Sequence, residues 1–148
     1  EAQALAIDEI GIQAVNIRSP LVMAQTLATL DELSGGRADM VPVSESFWQE
    51  LADGAHPRLE QGRLLSAFTF SEPWSVWERH PAGEELVMLL SGAATLLLDE
   101  PAGERTVSLS AVGSYVLVPM GVWHTARTTV PTTLLFLTPG AGTEHRPV

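Results

Sequence analysis

Between Leu64 and Pro139 the chain is written in short runs of aliphatic, β-branched and aromatic residues, each closed by glycine or proline. Runs of this kind bounded by turn formers predict strands. They fall at Leu64–Phe70, Trp74–His80, Glu85–Leu90, Ala94–Leu98, Arg105–Leu109, Ser114–Val118, Val122–Thr128 and Thr132–Thr138, with a hairpin loop at Asp99-Glu100-Pro101-Ala102-Gly103. No helical pattern intervenes, so these strands predict an antiparallel sandwich or barrel rather than a parallel sheet.

Upstream the pattern changes. Ile7 to Ile17 reads as a strand or a loop. Ser19 then suits an N-cap and Pro20 a first helical position. Met23, Leu27 and Leu30 recur at helical spacing, and Gly35-Gly36 ends the helix. After Met40-Val41-Pro42-Val43, Ser44 or Ser46 caps a second, short helix carrying Phe47, Trp48 and Leu51, which Gly54 would end. The expected division is an N-terminal extension over 1–59 with one or two helices and a barrel over 60–148. An isolated helix this short is marginal in water, so its apolar stripe must be buried on the barrel or on a second subunit.

A chain of 148 residues buries a real core without staples. It has no cysteine, which excludes disulfides, thiolate metal sites and cysteine nucleophiles. A formal net charge of −10 repels phosphate backbones and anionic lipid, so neither nucleic acid nor a membrane surface is an expected partner. No apolar run reaches the ~18 residues of a membrane-spanning helix. The opening Glu1-Ala2-Gln3-Ala4 lacks the basic start of a signal peptide, so a cytoplasmic location is expected.

The candidate chemistry lies in two segments. In Trp77-Glu78-Arg79-His80, residues two apart share a strand face, so Glu78 and His80 point together, with Trp74 and Val76, toward the interior. After the turn Pro81-Ala82-Gly83, Glu85 opens the next strand and is expected opposite His80 in an antiparallel pair. Further on, Pro119-Met120-Gly121 makes a tight turn and His124 follows on the outgoing strand. Two imidazoles and two carboxylates turned into an apolar barrel are costly without an ion or partners.

The same segments resemble the paired motifs of the cupin superfamily. Its first motif runs G-x5-H-x-H-x(3,4)-E-x6-G; here His80, four residues, Glu85, six residues and Gly92 match it. Glu78 stands where the first histidine would be, and the leading glycine is absent. The second motif runs G-x5-P-x-G-x2-H-x3-N; Gly113, Pro119, Gly121 and His124 match, and Thr128 replaces the asparagine. The resemblance covers roughly Arg63 to Pro139. It implies an all-β, cupin-type double-stranded β-helix, a jelly-roll barrel, here with a short N-terminal helical extension. It also implies a divalent metal ion held by Glu78, His80, Glu85 and His124. A two-carboxylate set favours harder ions such as Mn²⁺ or Fe²⁺, with Zn²⁺ and Ni²⁺ still open, and makes a weaker Lewis acid than three histidines.

Around this set, Trp77 and Trp123 are expected to face away from the ligands and Trp74 toward them. Tyr115 is expected in packing or as a pocket hydroxyl. Glu84 and Arg79 read as solvated charges. His145, in Thr143-Glu144-His145-Arg146, reads as a surface residue, or as part of a tail folded back across the barrel mouth. Separately, the segment from Arg18 to Leu33-Ser34-Gly35-Gly36-Arg37 resembles a piece of luciferase-like flavin monooxygenases. About forty residues cannot close an eight-fold α/β barrel or bind a flavin, so that activity does not carry over.

The functional expectation is a metal-dependent enzyme acting on a small organic molecule, of dioxygenase, isomerase or lyase type, with Glu78 as a ligand or as the general base. The alternatives are a non-catalytic small-molecule or metal-sensing module and a metal-free structural barrel. Exposed edge strands favour a homodimer.

Overall fold

The computed structural model of the chain describes residues 10–12, 38–40, 50, 53–57, 62–139 and 142–148. The strands are β1 (Ile10–Ile12), β2 (Ala38–Met40), β3 (Arg63–Phe70), β4 (Val76–Arg79), β5 (Glu85–Ser91), β6 (Ala94–Glu100), β7 (Gly103–Leu109), β8 (Tyr115–Val118), β9 (Trp123–Thr128), β10 (Thr132–Pro139) and β11 (Glu144–Pro147). They form a six-stranded sheet in the order β2-β1-β3-β10-β5-β8 and a five-stranded sheet in the order β11-β4-β9-β6-β7. Among the described residues no helix is long and apolar enough to cross a membrane.

The pairing from β3 to β10 has one rule. β3 pairs with β10, β4 with β9, β5 with β8 and β6 with β7, all antiparallel. The segment is therefore one long hairpin folded at β6–β7 and wound so that successive pairs fall alternately in the two sheets. That is the double-stranded β-helix, or jelly roll, expected from the sequence. Alternation then fills the interior. Val87 and Leu89 of β5, Leu96 and Leu98 of β6, Val116 and Val118 of β8, and Leu134 and Phe136 of β10 are buried in one core.

Several expectations need correction. The fourth strand is shorter than Trp74–His80. Pro73 and Pro81 flank it, and the backbone of Trp74 and of His80 makes isolated bonds instead, to Ala126 O at 2.9 Å and from Gly121 N–H at 3.0 Å. Glu85 does not sit opposite His80 in a pair: Pro81 to Glu84 carry the chain from one sheet to the other, and Glu85 pairs with Val118. Tyr115 is neither packed nor in a pocket. Val116 and Val118 take the inward positions of β8, which leaves Tyr115 58% exposed. The expected hairpin loop tightens to Pro101-Ala102, because Glu100 still pairs with Gly103.

Upstream, β1 lies in the expected Ile7–Ile17 stretch and pairs parallel with β2 and β3, extending the first sheet. The expected helix after Ser19 lies outside the described residues. Of the second, Glu50 is helical, and Ala55 N–H donates to Glu50 O at 2.9 Å over Gly54, whose φ is 74°. This six-to-one closure is how a glycine stops a helix.

Gly92 is the turn glycine with least room. Its φ is 82°, and an added Cβ would stand 2.5 Å from Pro131 O and 2.6 Å from Thr132 Oγ1. Thr132 is fully buried, and its hydroxyl accepts Ala93 N–H at 3.2 Å. A left-handed residue and a backbone clash combine here, so Gly92→Ala is expected to cost about 2–4 kcal/mol. Denaturant unfolding measures this; a loss under ~1 kcal/mol would show that the turn relaxes.

Candidate metal centre

Glu85 is on the inward face of β5, in register with Val87 and Leu89, and is 2% exposed. His124 is inward on β9 and fully buried. Glu78 of β4 is in register with His124 across the β4–β9 pair, and His80 follows β4 on the same face. The winding of the ribbon thus delivers Glu78 from β4 and His80 just beyond it, His124 from the neighbouring strand and Glu85 from the opposite sheet. One donor atom from each of Glu78, His80, Glu85 and His124 lies within 4.8 Å of the other three. All four candidate residues named from the sequence therefore come together.

The distances are those of a shared centre rather than of a closed hydrogen-bond network. Glu85 Oε2 is 2.9 Å from His124 Nε2 and 3.3 Å from His80 Nε2, and His124 Nε2 is 3.5 Å from Glu78 Oε1. Yet His80 Nε2, Glu85 Oε2 and His124 Nε2, all buried, have no partner of hydrogen-bond geometry among the described residues. Two ligands ~2.1 Å from one ion and adjacent around it stand roughly 3.0–3.4 Å apart. The observed separations fit that spacing, and the donor set suits a divalent ion.

The opposite ends of the same groups are tied down. His80 Nδ1 lies 3.0 Å from Thr143 Oγ1, and His124 Nδ1 lies 3.4 Å from Val122 O. Thr138 Oγ1 donates to Glu85 Oε1. Outer contacts of this kind fix the ring tautomer and aim the inner atom. The sequence reading missed Thr138 and Thr143. Thr138 carried a signal, since it keeps the inward parity of Leu134 and Phe136; Thr143 carried none.

Trp74 faces the ligand set as expected, its ring 6.1 Å from that of His124 and packed on Phe70 and Phe136. Trp74 Nε1 and Thr128 Oγ1 are also buried without a hydrogen-bond partner among the described residues. Trp77 and Trp123 flank the Arg146 guanidinium at 5.2 and 4.6 Å. Glu84 is exposed, and Arg79 pairs with Glu144. His145 is 55% exposed, but its strand does fold back, pairing with β4.

A family model for luciferase-like monooxygenases matches residues 10–69. That stretch is less than half of the chain, and its end is the first strand of the jelly roll. A search of curated proteins finds no match. Among solved structures, the chain is similar to a cupin-2 domain containing protein from Shewanella frigidimarina, at 15% identity and TM-score 0.44, over 51% of this chain and 68% of that one. It is also similar to a cupin superfamily protein from Desulfitobacterium hafniense, at 23% identity and TM-score 0.43, over 52% and 66%. A third is hydroquinone 1,2-dioxygenase from Sphingomonas sp. TTNP3 with 4-hydroxybenzoate bound, at 19% identity and TM-score 0.43, over 52% and 59%. The fold assignment itself rests on the strand order, which is of the cupin type.

Two groups of the cluster shift in opposite directions. Burial alone would raise Glu85, but contact with the imidazoles of His124 and His80 outweighs it and holds the carboxyl at about 2, against an ordinary 4.5. Burial alone would lower His124, but Glu78 and Glu85 push it up to about 9, from 6.5. Without metal, the raised His124 stabilises the fold fully below pH 6.5 and loses that contribution as pH climbs through about 9. The depressed Glu85 contributes fully above pH 4.5 and loses it as pH falls toward 2. Chelator-treated protein is therefore expected to lose stability between pH 6.5 and 9. Denaturant midpoints across that interval test it, and a flat profile would contradict the buried ion pair.

Proposed function

We propose that Glu78, His80, Glu85 and His124 hold one divalent ion, and that the chain uses it to act on a small organic molecule. The observation that carries this reading is the set of three buried donor atoms, His80 Nε2, Glu85 Oε2 and His124 Nε2, that converge without hydrogen-bond partners. In close ion-pair contact but without hydrogen-bond geometry, these atoms are only partly satisfied, which costs stability at this depth unless something completes them. The oxygen-rich set favours Mn²⁺ or Fe²⁺ over softer ions. Bound there, a divalent ion supplies a Lewis acid that polarises a substrate oxygen.

The residues divide the remaining work. Glu85, His80 and His124 are held from behind and serve as fixed ligands. Glu78 is different: its side chain is 20% exposed, and its second oxygen points away from the cluster toward His145. It is suited to accept a proton from a substrate at Oε1, the oxygen that faces the centre, as a general base rather than a permanent ligand. Trp74 Nε1 and Thr128 Oγ1 are the buried groups left to hydrogen-bond a bound molecule. Phe70, Trp74 and Phe136 form the apolar wall that keeps water from the reacting atoms.

The donor set also favours a second reading, a non-catalytic binding or sensing module. Two carboxylates cancel the charge of a divalent ion, which weakens it as a Lewis acid. Retention of a small molecule through purification without turnover would support that alternative.

Elemental analysis tests the common core of both. Protein purified from Mn²⁺- or Fe²⁺-supplemented medium is expected to carry about one ion per chain, a ratio that follows from one four-donor site. Glu85→Gln and His124→Ala should lose it, while Glu78→Gln should retain it and abolish turnover if Glu78 is the base. Wild-type protein free of metal after such growth would leave only the barrel.

A further inference from the structure

β4 carries Glu78 and leads directly into His80, yet it is weakly tied to the rest of its sheet. Its ladder to β9 is the single register pair Glu78 with His124, supplemented by the Thr125 hydroxyl on Val76 O at 2.9 Å and, at its two ends, by Trp74 N–H on Ala126 O at 2.9 Å and Gly121 N–H on His80 O at 3.0 Å. Its other edge is paired along its whole length with β11: Arg79 with Glu144, Glu78 with His145, Trp77 with Arg146 and Val76 with Pro147. The strand that carries Glu78 and leads into His80 therefore has its only continuous ladder, among the described residues, with β11.

The side chains of that segment act on two faces. On the outer face, Arg146 lies over Trp77 and Trp123 and pairs with Asp99 at 2.7 Å, while Glu144 pairs with Arg79 at 2.7 Å. On the inner face, His80 Nδ1 and Thr143 Oγ1 share a hydrogen bond at 3.0 Å, and His145 Nε2 stands 3.5 Å from Glu78 Oε2. A proton kept on Nδ1 leaves the Nε2 lone pair of His80 free for the centre. Stacked and paired outer contacts tack the strand down; the inner ones reach the two ligands of β4.

We infer that Thr143 and β11 form a strap that positions His80 and Glu78 and thereby sets the affinity of the site for its ion. The inference rests on the metal reading above. Thr143 and His145 are positioning residues, and Arg146 acts one step further out, by docking the strap. Linkage adds a consequence that a purely structural strand would not have. If the strap tightens metal binding, metal binding must tighten the strap by the same factor.

The test uses the full chain, stripped with chelator, and Mn²⁺ as the probe. Thr143→Val is expected to weaken Mn²⁺ binding by about 10- to 100-fold in a chelator-competition titration, the usual loss when an outer-sphere partner of a ligand is removed. Thr143→Ser, which keeps the hydroxyl, should bind as the wild type does. Arg146→Ala, far from any donor atom, should also weaken binding. In the wild type, Mn²⁺ should slow hydrogen exchange of the β11 amides. Unchanged affinity in Thr143→Val, equal losses in the Ser and Val variants, or β11 exchange indifferent to bound Mn²⁺ would each overturn the strap. Should Thr143→Val fail to fold, the exchange experiment on the wild type and the Ser and Arg146 variants still decide. A wild type that binds no Mn²⁺ defeats the metal reading first, and the strap with it.

Discussion

A carboxylate buried in an apolar wall is the constraint around which this molecule is arranged. Glu85 is 2% exposed and shares its strand face with Val87 and Leu89. Moving an ionised carboxylate to such a place costs several kcal/mol unless neighbours compensate. One of its oxygens is met by the Thr138 hydroxyl. The other is met by two imidazoles that approach it closely without forming hydrogen bonds. His80 and His124 are buried with Glu85, their inner nitrogens toward it and their outer ones against Thr143 and Val122. Replacing that carboxylate removes the reason for the whole arrangement.

The winding of the chain makes such a meeting possible. A strand ribbon folded on itself places residues far apart in sequence on facing walls, so Glu85 of one sheet meets His124 of the other. The two sheets around them contribute low dielectric and rigid backbone, which strengthen charge interactions between them and raise the penalty for any group left unpaired. The weak point is the edge. β4 is short, bounded by prolines, and supported on one side by a single regular pair. The part of the site that sits on it depends on what covers that edge.

The sequence made the barrel legible because strand alternation and turn glycines are local signals. Every strand from β3 to β10 lies within a few residues of its expected place, and the four residues that spacing and the motif resemblance single out do come together. What spacing could not provide was the sheet in which each strand lies. Glu85 was expected beside His80 in one ladder, whereas the turn at Pro81 crosses between sheets, which depends on the global winding rather than on any residue of the turn. β11 was equally hidden. Glu144-His145-Arg146-Pro147 has no apolar alternation, and its place is fixed by Arg146 stacked between Trp77 and Trp123. Contacts of that kind leave no periodic trace.

The position that departs from the cupin pattern, Glu78, becomes intelligible through charge. With an ion bound, two carboxylates and two neutral imidazoles bring a divalent centre to neutrality. Without it, His124, whose charged form the carboxylates favour, offsets only one of them, and a second carboxylate is left over in the cluster. That surplus is tolerable only where solvent can reach it. Glu78 is the least buried of the four, and its second oxygen faces the half-exposed His145 of β11. A histidine at 78 would leave the metal-free cluster less negative but give up that outward oxygen. The glutamate thus places a partly solvated carboxylate between the cluster and the strand that covers it.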